Sequence, residues 1–281
     1  VIIRHDDTLT DLCEKVRIAT ITGTYQSMLT DFRYVRSIWK KNQEEERLLG
    51  VSLTGIMDHP ILSTTSREAV KWLKEMKAEA IATNLLWSKK LGINQSVAIT
   101  TIKPSGTVSQ LVDSSSGIHS RYSEYYIRTV RADKKDPLAK LMRAQGFPVE
   151  DCVNKPESTD IFSFPVKGPH NAVFRNDRSA IEQLEHYLMF QTHWTEHNVS
   201  ITVYVKDHEW LAVGDWVYTN FNKIAGVSFL PHSDHSYRQA PYTECTQQEY
   251  EQLLAQMPDF DWDALSHFES DDSTVNTKEL A

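Results

Sequence analysis

Cysteine is scarce in this chain: three residues in 281 (Cys13, Cys152, Cys245), with no Cys-x-x-Cys pair. That scarcity excludes a disulfide scaffold and a structural cysteine-zinc site. It fits a reducing, cytoplasmic setting. Long apolar runs are missing too. None approaches the roughly 18 residues that span a bilayer, and no signal peptide is visible, so no membrane partner is expected. Positive charge is in deficit: 30 Lys and Arg against 38 Asp and Glu leave a net charge of -8. A surface that coats nucleic acid needs clustered Lys and Arg, so nucleic acid is not an expected partner. One local pocket for an anion stays open to an acidic protein. Internal repeats and an initiating methionine are also absent. The chain opens Val1-Ile2-Ile3-Arg4, which reads as the inside of a strand, and we expect a fragment or processed piece.

What is present is ordinary globular composition, 40% hydrophobic and 24% charged, and one domain is the economical reading. Thr8 to Met28 has a helical apolar face, with Asp6 or Asp7 as its cap. Lys40 to Arg47 is a solvated charged run. Leu48 to Ile56 reads as a buried strand whose glycines allow close backbone approach. Ser66 to Leu91 is an amphipathic helix that stops at Gly92. Val97 to Ile102 is a second buried strand. Strand, helix, strand points to a parallel sheet covered by helices. Later, Asp136 to Gln145 and Ser179 to Thr195 read as helices. Ile161 to Val166 and Ala172 to Phe174 read as short strands, the first confined to a sheet edge by Pro165. Val199 to Val205 is an alternating strand, Phe229-Leu230-Pro231 starts a loop, and Thr246 to Met257 is helical. An acidic mobile tail is expected over 269–281.

The stretch richest in chemistry is Thr101-Ile102-Lys103-Pro104-Ser105-Gly106-Thr107. A β-branched strand runs into a proline-led turn and a short apolar segment. That arrangement gathers backbone N–H groups and two hydroxyls around a space suited to a phosphate, with Lys103 adding charge. A bare Pro-Ser-Gly-Thr is also an ordinary turn. The loop Asp113 to His119 supplies further hydroxyls, and Arg121, Arg128 and Arg131 are candidate cations for the same neighbourhood. His193-x-x-Glu196-His197 matches an inverted zinc-protease motif, but a β-branched strand follows at once where the helix should continue. His232-Ser233-Asp234-His235 lacks a third and fourth ligand. Each cysteine lies beside an acidic residue, which raises a thiol pKa and disfavours a nucleophile.

Several phrases in order resemble one family. Glu46 to Ile56, Thr101 to Ser109, Gly117-Ile118-His119 with Tyr125 to Arg128, Asn198 to Val203, and Gln239 to Tyr242 are similar to adenosylcobalamin-dependent (class II) ribonucleotide reductases. The ribonucleoside-triphosphate branch is the nearest in kind. The resemblance implies an α/β fold in which residues 1–268 form the second half of a ten-stranded α/β barrel of the ribonucleotide reductase and glycyl radical enzyme type. It implies reduction of a ribonucleoside triphosphate at the 2′ carbon by a thiyl radical raised from adenosylcobalamin. Thioredoxin or a similar dithiol would be the reductant, and a monomer is favoured. Carried over by position, Lys103, Pro104, Ser105, Gly106 and Thr107 would hold the substrate phosphates. Ser116, Gly117, His119 and Arg128 would stand behind them. No catalytic residue and no metal ligand is expected in this chain, because none of its cysteines matches a family radical or shuttle cysteine. Two other readings are a non-catalytic subunit that completes a barrel with a separate chain, and a zinc hydrolase using His193, Glu196 and His197.

Overall fold

The computed structural model describes residues 1–232 and 237–269. In chain order the elements begin with α1 (Leu9–Gln26), α2 (Ser37–Glu46), β1 (Val51–Ser52), α3 (Arg67–Leu91), β2 (Thr100–Thr101) and α4 (Gly106–Leu111). There follow β3 (Tyr125–Asp133), α5 (Pro137–Ala144), β4 (Val149–Asp151), β5 (Thr159–Lys167) and α6 (Ala180–His193). The last are β6 (Thr202–Val205), α7 (Trp210–Asn220), β7 (Ser228–Pro231), β8 (Tyr242–Glu244), α8 (Gln247–Leu254) and the short α9 (Leu265–Glu269). The described residues fall into two compact units, 1–121 with 169–232 and 122–168 with 237–269.

The first unit is an α/β layer of parallel segments. Ile2 bridges Thr54, β1 pairs with β2, Ile102 bridges Val199, and β6 pairs with β7, every contact parallel. Five extended segments therefore lie in chain order, as the expected α/β class requires. Parallel neighbours need long crossovers, and helices supply them. In α1 the Thr8 hydroxyl and the Asp11 carboxylate form a reciprocal capping box, so Thr8 caps this helix and not Asp6 or Asp7. Gly23 in α1 faces the Leu49 side chain, where an added Cβ would touch at 3.5 Å. Ser66 caps α3 and Gly92 closes it in the left-handed region, as the sequence suggests. Leu12 and Val16 of α1, Leu73 and Met76 of α3, and Leu184, Tyr187 and Phe190 of α6 share one core cluster with Ile3, Leu53, Ile99 and Val203. At roughly 25 cal/mol per Å² of apolar area, burying each of these side chains contributes about 1.5–3 kcal/mol.

Leu48 to Ile56 pairs less than a continuous strand would. Gly55 turns at φ +85° into a 3-10 turn, Ile56–Asp58. Phe229 to Pro231 is not the start of a loop; it belongs to β7, paired with β6. Ala172 to Phe174 reduces to a single bridge between Phe174 and Arg121.

The second unit is an antiparallel sheet in the order β4-β5-β3-β8. β5 is an inner strand, contrary to the edge position expected from Pro165. β4 reaches only from Asp160 to Phe162, so β5 is flanked on one side alone where Pro165 sits opposite Ile127. A proline is tolerated at such a place because no ladder donor is required on the open side. Asp136 caps α5 with a proline behind it at the first helical turn, a start compatible with the fixed φ of Pro137.

Candidate functional site

β1 and β2 run side by side, and both chains leave their carboxyl ends in tight turns. Ligands of parallel α/β sheets bind outside that end of the strands. The Lys103 N–H donates to Ser52 Oγ at 3.0 Å, which fixes the start of the second turn on the neighbouring strand. Beyond it, Lys103, Pro104, Gly106 and Thr107 are exposed and Ser105 is half-buried. Gly106 opens α4, and an added Cβ there meets nothing within 4 Å. The first N–H groups of a helix have no acceptor within it. Ser105 does not use its side chain to cap them.

The loop 113–119 fills in behind this turn. The Thr54 hydroxyl contacts Ser105 Oγ at 2.6 Å and donates to the Ser115 carbonyl at 2.9 Å, while Gly117 N–H donates to Thr54 at 3.0 Å. Ser105 N–H donates to Ser116 Oγ at 3.2 Å. Gly117 has φ +57°, and a Cβ would stand 3.0 Å from the Lys103 carbonyl oxygen. Glycine is needed there on both counts. His119 is tied at both nitrogens: Thr202 N–H donates to Nε2 at 2.9 Å, so Nδ1 carries the proton toward the Ser116 carbonyl at 3.1 Å. Burial pushes its pKa down and the Ser116 contact only partly opposes this. His119 is thus a neutral wedge that joins this loop to the β6 segment.

Beneath the loop lies a charge cluster. Asp58 Oδ2 accepts Ser115 N–H at 2.8 Å and both carboxylate oxygens meet Arg121. Arg121 also reaches Asp113 Oδ1 at 2.9 Å and the Asp113 carbonyl at 3.0 Å, and Arg4 donates to the carbonyls of Val112 and Asp113. Burial opposes the charge on Arg121, but hydrogen bonds and attraction from Asp58 and Asp113 outweigh it and raise its pKa. Arg121 is therefore committed to protein carboxylates and is not a spare cation. Arg128 and Arg131 belong to the second unit. Arg128 donates to the Pro241 carbonyl at 3.0 Å and lies 4.4 Å from the Tyr242 ring centroid, while Arg131 donates to the Gln239 carbonyl.

The zinc motif does not assemble. α6 ends at His193, Glu196 Oε2 accepts Ile99 N–H at 2.7 Å, and His197 Nε2 donates to the Leu49 carbonyl at 2.8 Å. Among the described residues no group of three His, Cys, Asp or Glu is placed to hold a metal. His232 faces Asn176 Oδ1 at 2.9 Å, and the rest of that loop, 233–236, lies outside the described residues, as does the tail beyond Glu269. No helix among the described residues is long and apolar enough to cross a membrane. Burial first, then Glu79 and Glu75, push the Cys13 thiol up; burial, Glu249 and Glu244 do the same at Cys245. Cys152 departs from the expectation. Burial works against ionisation there too, yet N–H donors from Asn154 and Lys155, with Arg131, bring its pKa below the ordinary value. The adjacent carboxylate of Asp151 is turned to Lys134 at 2.5 Å instead.

No family model matches the chain. A ribonucleoside-triphosphate reductase of Euglena gracilis, named as adenosylcobalamin-dependent, is 29% identical over 77% of this chain and 30% of its own length. The enzymes of the same name from Lactobacillus delbrueckii subsp. bulgaricus and Levilactobacillus brevis are 28% and 29% identical over 83% and 77% of this chain. A crystal structure of a B-12 dependent (class II) ribonucleotide reductase superposes with a TM-score of 0.79 at 26% identity, covering 96% of this chain and 40% of that one. The chain is similar to class II ribonucleotide reductases. It spans about a third of the length of these curated relatives. A class Id reductase alpha subunit from Actinobacillus ureae, at TM-score 0.50 and 12% identity, shares the fold alone. Thr54 and Asp58 organise the site, yet neither stands out in the sequence. The one signal was a hydroxyl set within an apolar run at Leu53-Thr54-Gly55.

Proposed function

We propose that this chain is part of an adenosylcobalamin-dependent ribonucleoside-triphosphate reductase and supplies its grip on the substrate phosphates. One observation carries the reading. The Lys103–Thr107 turn leaves the carboxyl end of a parallel strand and is tied, through Thr54, to the 115–117 loop of the same crevice. The open N–H groups of Gly106 and Thr107, the Thr107 and Ser116 hydroxyls and the Lys103 ammonium are the donors for phosphate oxygens. Pro104 fixes the entry of the turn, Gly117 lets the loop approach, and His119 holds that loop from behind. Arg128 serves the second unit. A grip on a remote triphosphate orients the ribose without entering the chemistry, and that orientation is what binding energy can contribute to rate. Residues 1–268 would form the second half of the barrel, with 269–281 as its acidic tail.

The relatives are named for adenosylcobalamin. A cavity of about 730 Å³ lies between α1 and the β1 segment, lined by Gly23, Leu49 and Gly50 among others.

The test uses the complete gene product with ATP or CTP, adenosylcobalamin and a dithiol. Deoxynucleotide formation is expected, and Gly106→Val is expected to raise the KM for the nucleotide at least about tenfold, because its Cβ has room in the protein and obstructs only a ligand. No deoxynucleotide, or an unchanged KM in Gly106→Val, would overturn the reading.

A further inference from the structure

The Thr54 hydroxyl has more partners than one proton can serve. Gly117 N–H donates to it at 3.0 Å, the Ser115 carbonyl lies at 2.9 Å and Ser105 Oγ at 2.6 Å. A carbonyl only accepts, so Thr54 donates to Ser115. The Ser105 hydroxyl must then donate inward to Thr54. In that arrangement Ser105 turns only lone pairs toward the exterior, the wrong polarity for a phosphate oxygen. The Ser115 carbonyl, however, also receives Gly55 N–H at 2.8 Å. It stays satisfied if Thr54 swings its proton away. Thr54 itself is buried, 7% exposed, and bulk solvent offers it no substitute partner.

We propose that Thr54 is a positioning residue for the phosphate turn, a hydroxyl relay that reverses its hydrogen bond with Ser105 when a nucleoside triphosphate arrives. Ser105 Oγ–H turns outward to a phosphate oxygen, and Thr54 Oγ–H turns from the Ser115 carbonyl to Ser105 Oγ. Each hydroxyl keeps its own proton and no covalent bond changes. Gly117 N–H stays on Thr54 in both states, and Gly55 N–H keeps the Ser115 carbonyl paired. No buried polar group is orphaned at either end, which is why the turn can change polarity without moving its backbone. The relay rests on the reading of Lys103–Thr107 as the phosphate grip.

The experiment is steady-state kinetics and ATP-binding calorimetry on the complete gene product. It compares Thr54→Ser, Thr54→Val, Ser105→Ala and the double variant Thr54→Val with Ser105→Ala. Thr54→Ser keeps the hydroxyl and is expected within about twofold of the parent KM. Thr54→Val is expected to raise KM about tenfold with kcat within about twofold, the upper end for one lost hydrogen bond between hydroxyls, here the one that backs Ser105 Oγ when it faces the phosphate. In the Ser105→Ala background the same valine is expected to shift KM less than about threefold, because the two residues act as one unit. Equal effects of Thr54→Val in both backgrounds would overturn the relay and leave Thr54 as a structural tie. Should Thr54→Val not fold, Ser105→Ala decides alone: the relay requires a rise in KM, and an unchanged KM ends it. Failure of the phosphate-grip reading is separate, and shows as no ATP binding by the parent or an unchanged KM in Gly106→Val.

Discussion

Arg121 holds Asp58 with two nitrogens, Nε at 2.9 Å from Oδ1 and Nη2 at 3.1 Å from Oδ2, and both side chains are almost wholly buried. The pair ties the turn after β1 to the loop 113–117, since the same carboxylate also takes Ser115 N–H. Removing Arg121 leaves the buried Asp58 carboxylate with no cation beside it.

Arg121→Met is therefore expected to lower unfolding stability by about 3–5 kcal/mol, read from urea denaturation. Arg121→Lys is expected to recover less than half of that, because an ammonium cannot span both oxygens of Asp58 while also reaching Asp113. Full recovery by lysine would show that charge alone matters at this position.

Gly117 and Gly106 should differ sharply in what an added methyl costs the fold. Gly117→Ala forces a side chain into φ +57° and against the Lys103 carbonyl, and about 1–2 kcal/mol of stability should be lost. Gly106→Ala meets open space, and its unfolding free energy should stay within about 0.5 kcal/mol of the parent. The reverse order in a melting experiment would contradict this placement of the turn.

Acid should weaken the first unit through His186. Its Nε2 donates to the Leu62 carbonyl at 2.8 Å in a fully buried site. Burial first, then Arg178, push its pKa down to about 3, with Leu62 opposing weakly. The unfolded chain takes up that proton near the ordinary value of about 6.5 while the folded one does not, so the unfolded state binds more protons between the two values. The stabilising contribution is full above about pH 6.5 and is lost progressively as pH falls toward 3. Urea midpoints measured from pH 7.5 to 4.5 should decline, and His186→Gln should make the decline shallower. His119 and His59, also lowered chiefly by burial, act in the same direction, so some slope should persist in the variant.

Cys13→Ser and Cys245→Ser are expected to retain turnover within about twofold in the complete gene product. Both thiols are pushed above their ordinary range, by burial and then by neighbouring glutamates, and a protonated thiol is a poor nucleophile. A loss of activity in either variant, with substrate binding intact, would assign that cysteine a part in the chemistry.

The long periodic elements were legible in the sequence. α3 carries its own start and stop in Ser66 and Gly92, and its apolar spacing leaves little choice. The Lys103–Thr107 turn was legible because proline, glycine and hydroxyls after a β-branched strand restrict the backbone locally. What was not legible depends on residues far apart in the chain. Phe229 to Pro231 reads as a loop until β6 lies beside it, and Tyr125–Asp133 shows no strict in-out alternation in its burial. Arg121 looks like a free cation until Asp58, 63 positions earlier, is brought under it. Cys152 looks masked by Asp151 until strand geometry turns that carboxylate to Lys134.

The parallel order of the first unit also sets how this chain must find its shape. β6 and β7 can meet after α7 alone, a short closure. The bridge from Ile102 to Val199 joins residues about a hundred positions apart and has the whole excursion through β3, β4 and β5 between them. Long-range parallel pairing is slow to form and leaves strand edges exposed meanwhile. That seam is expected to be the late event of folding, and refolding from dilute denaturant should show the segment around Ile102 gaining amide protection after the segment around Val203 has done so.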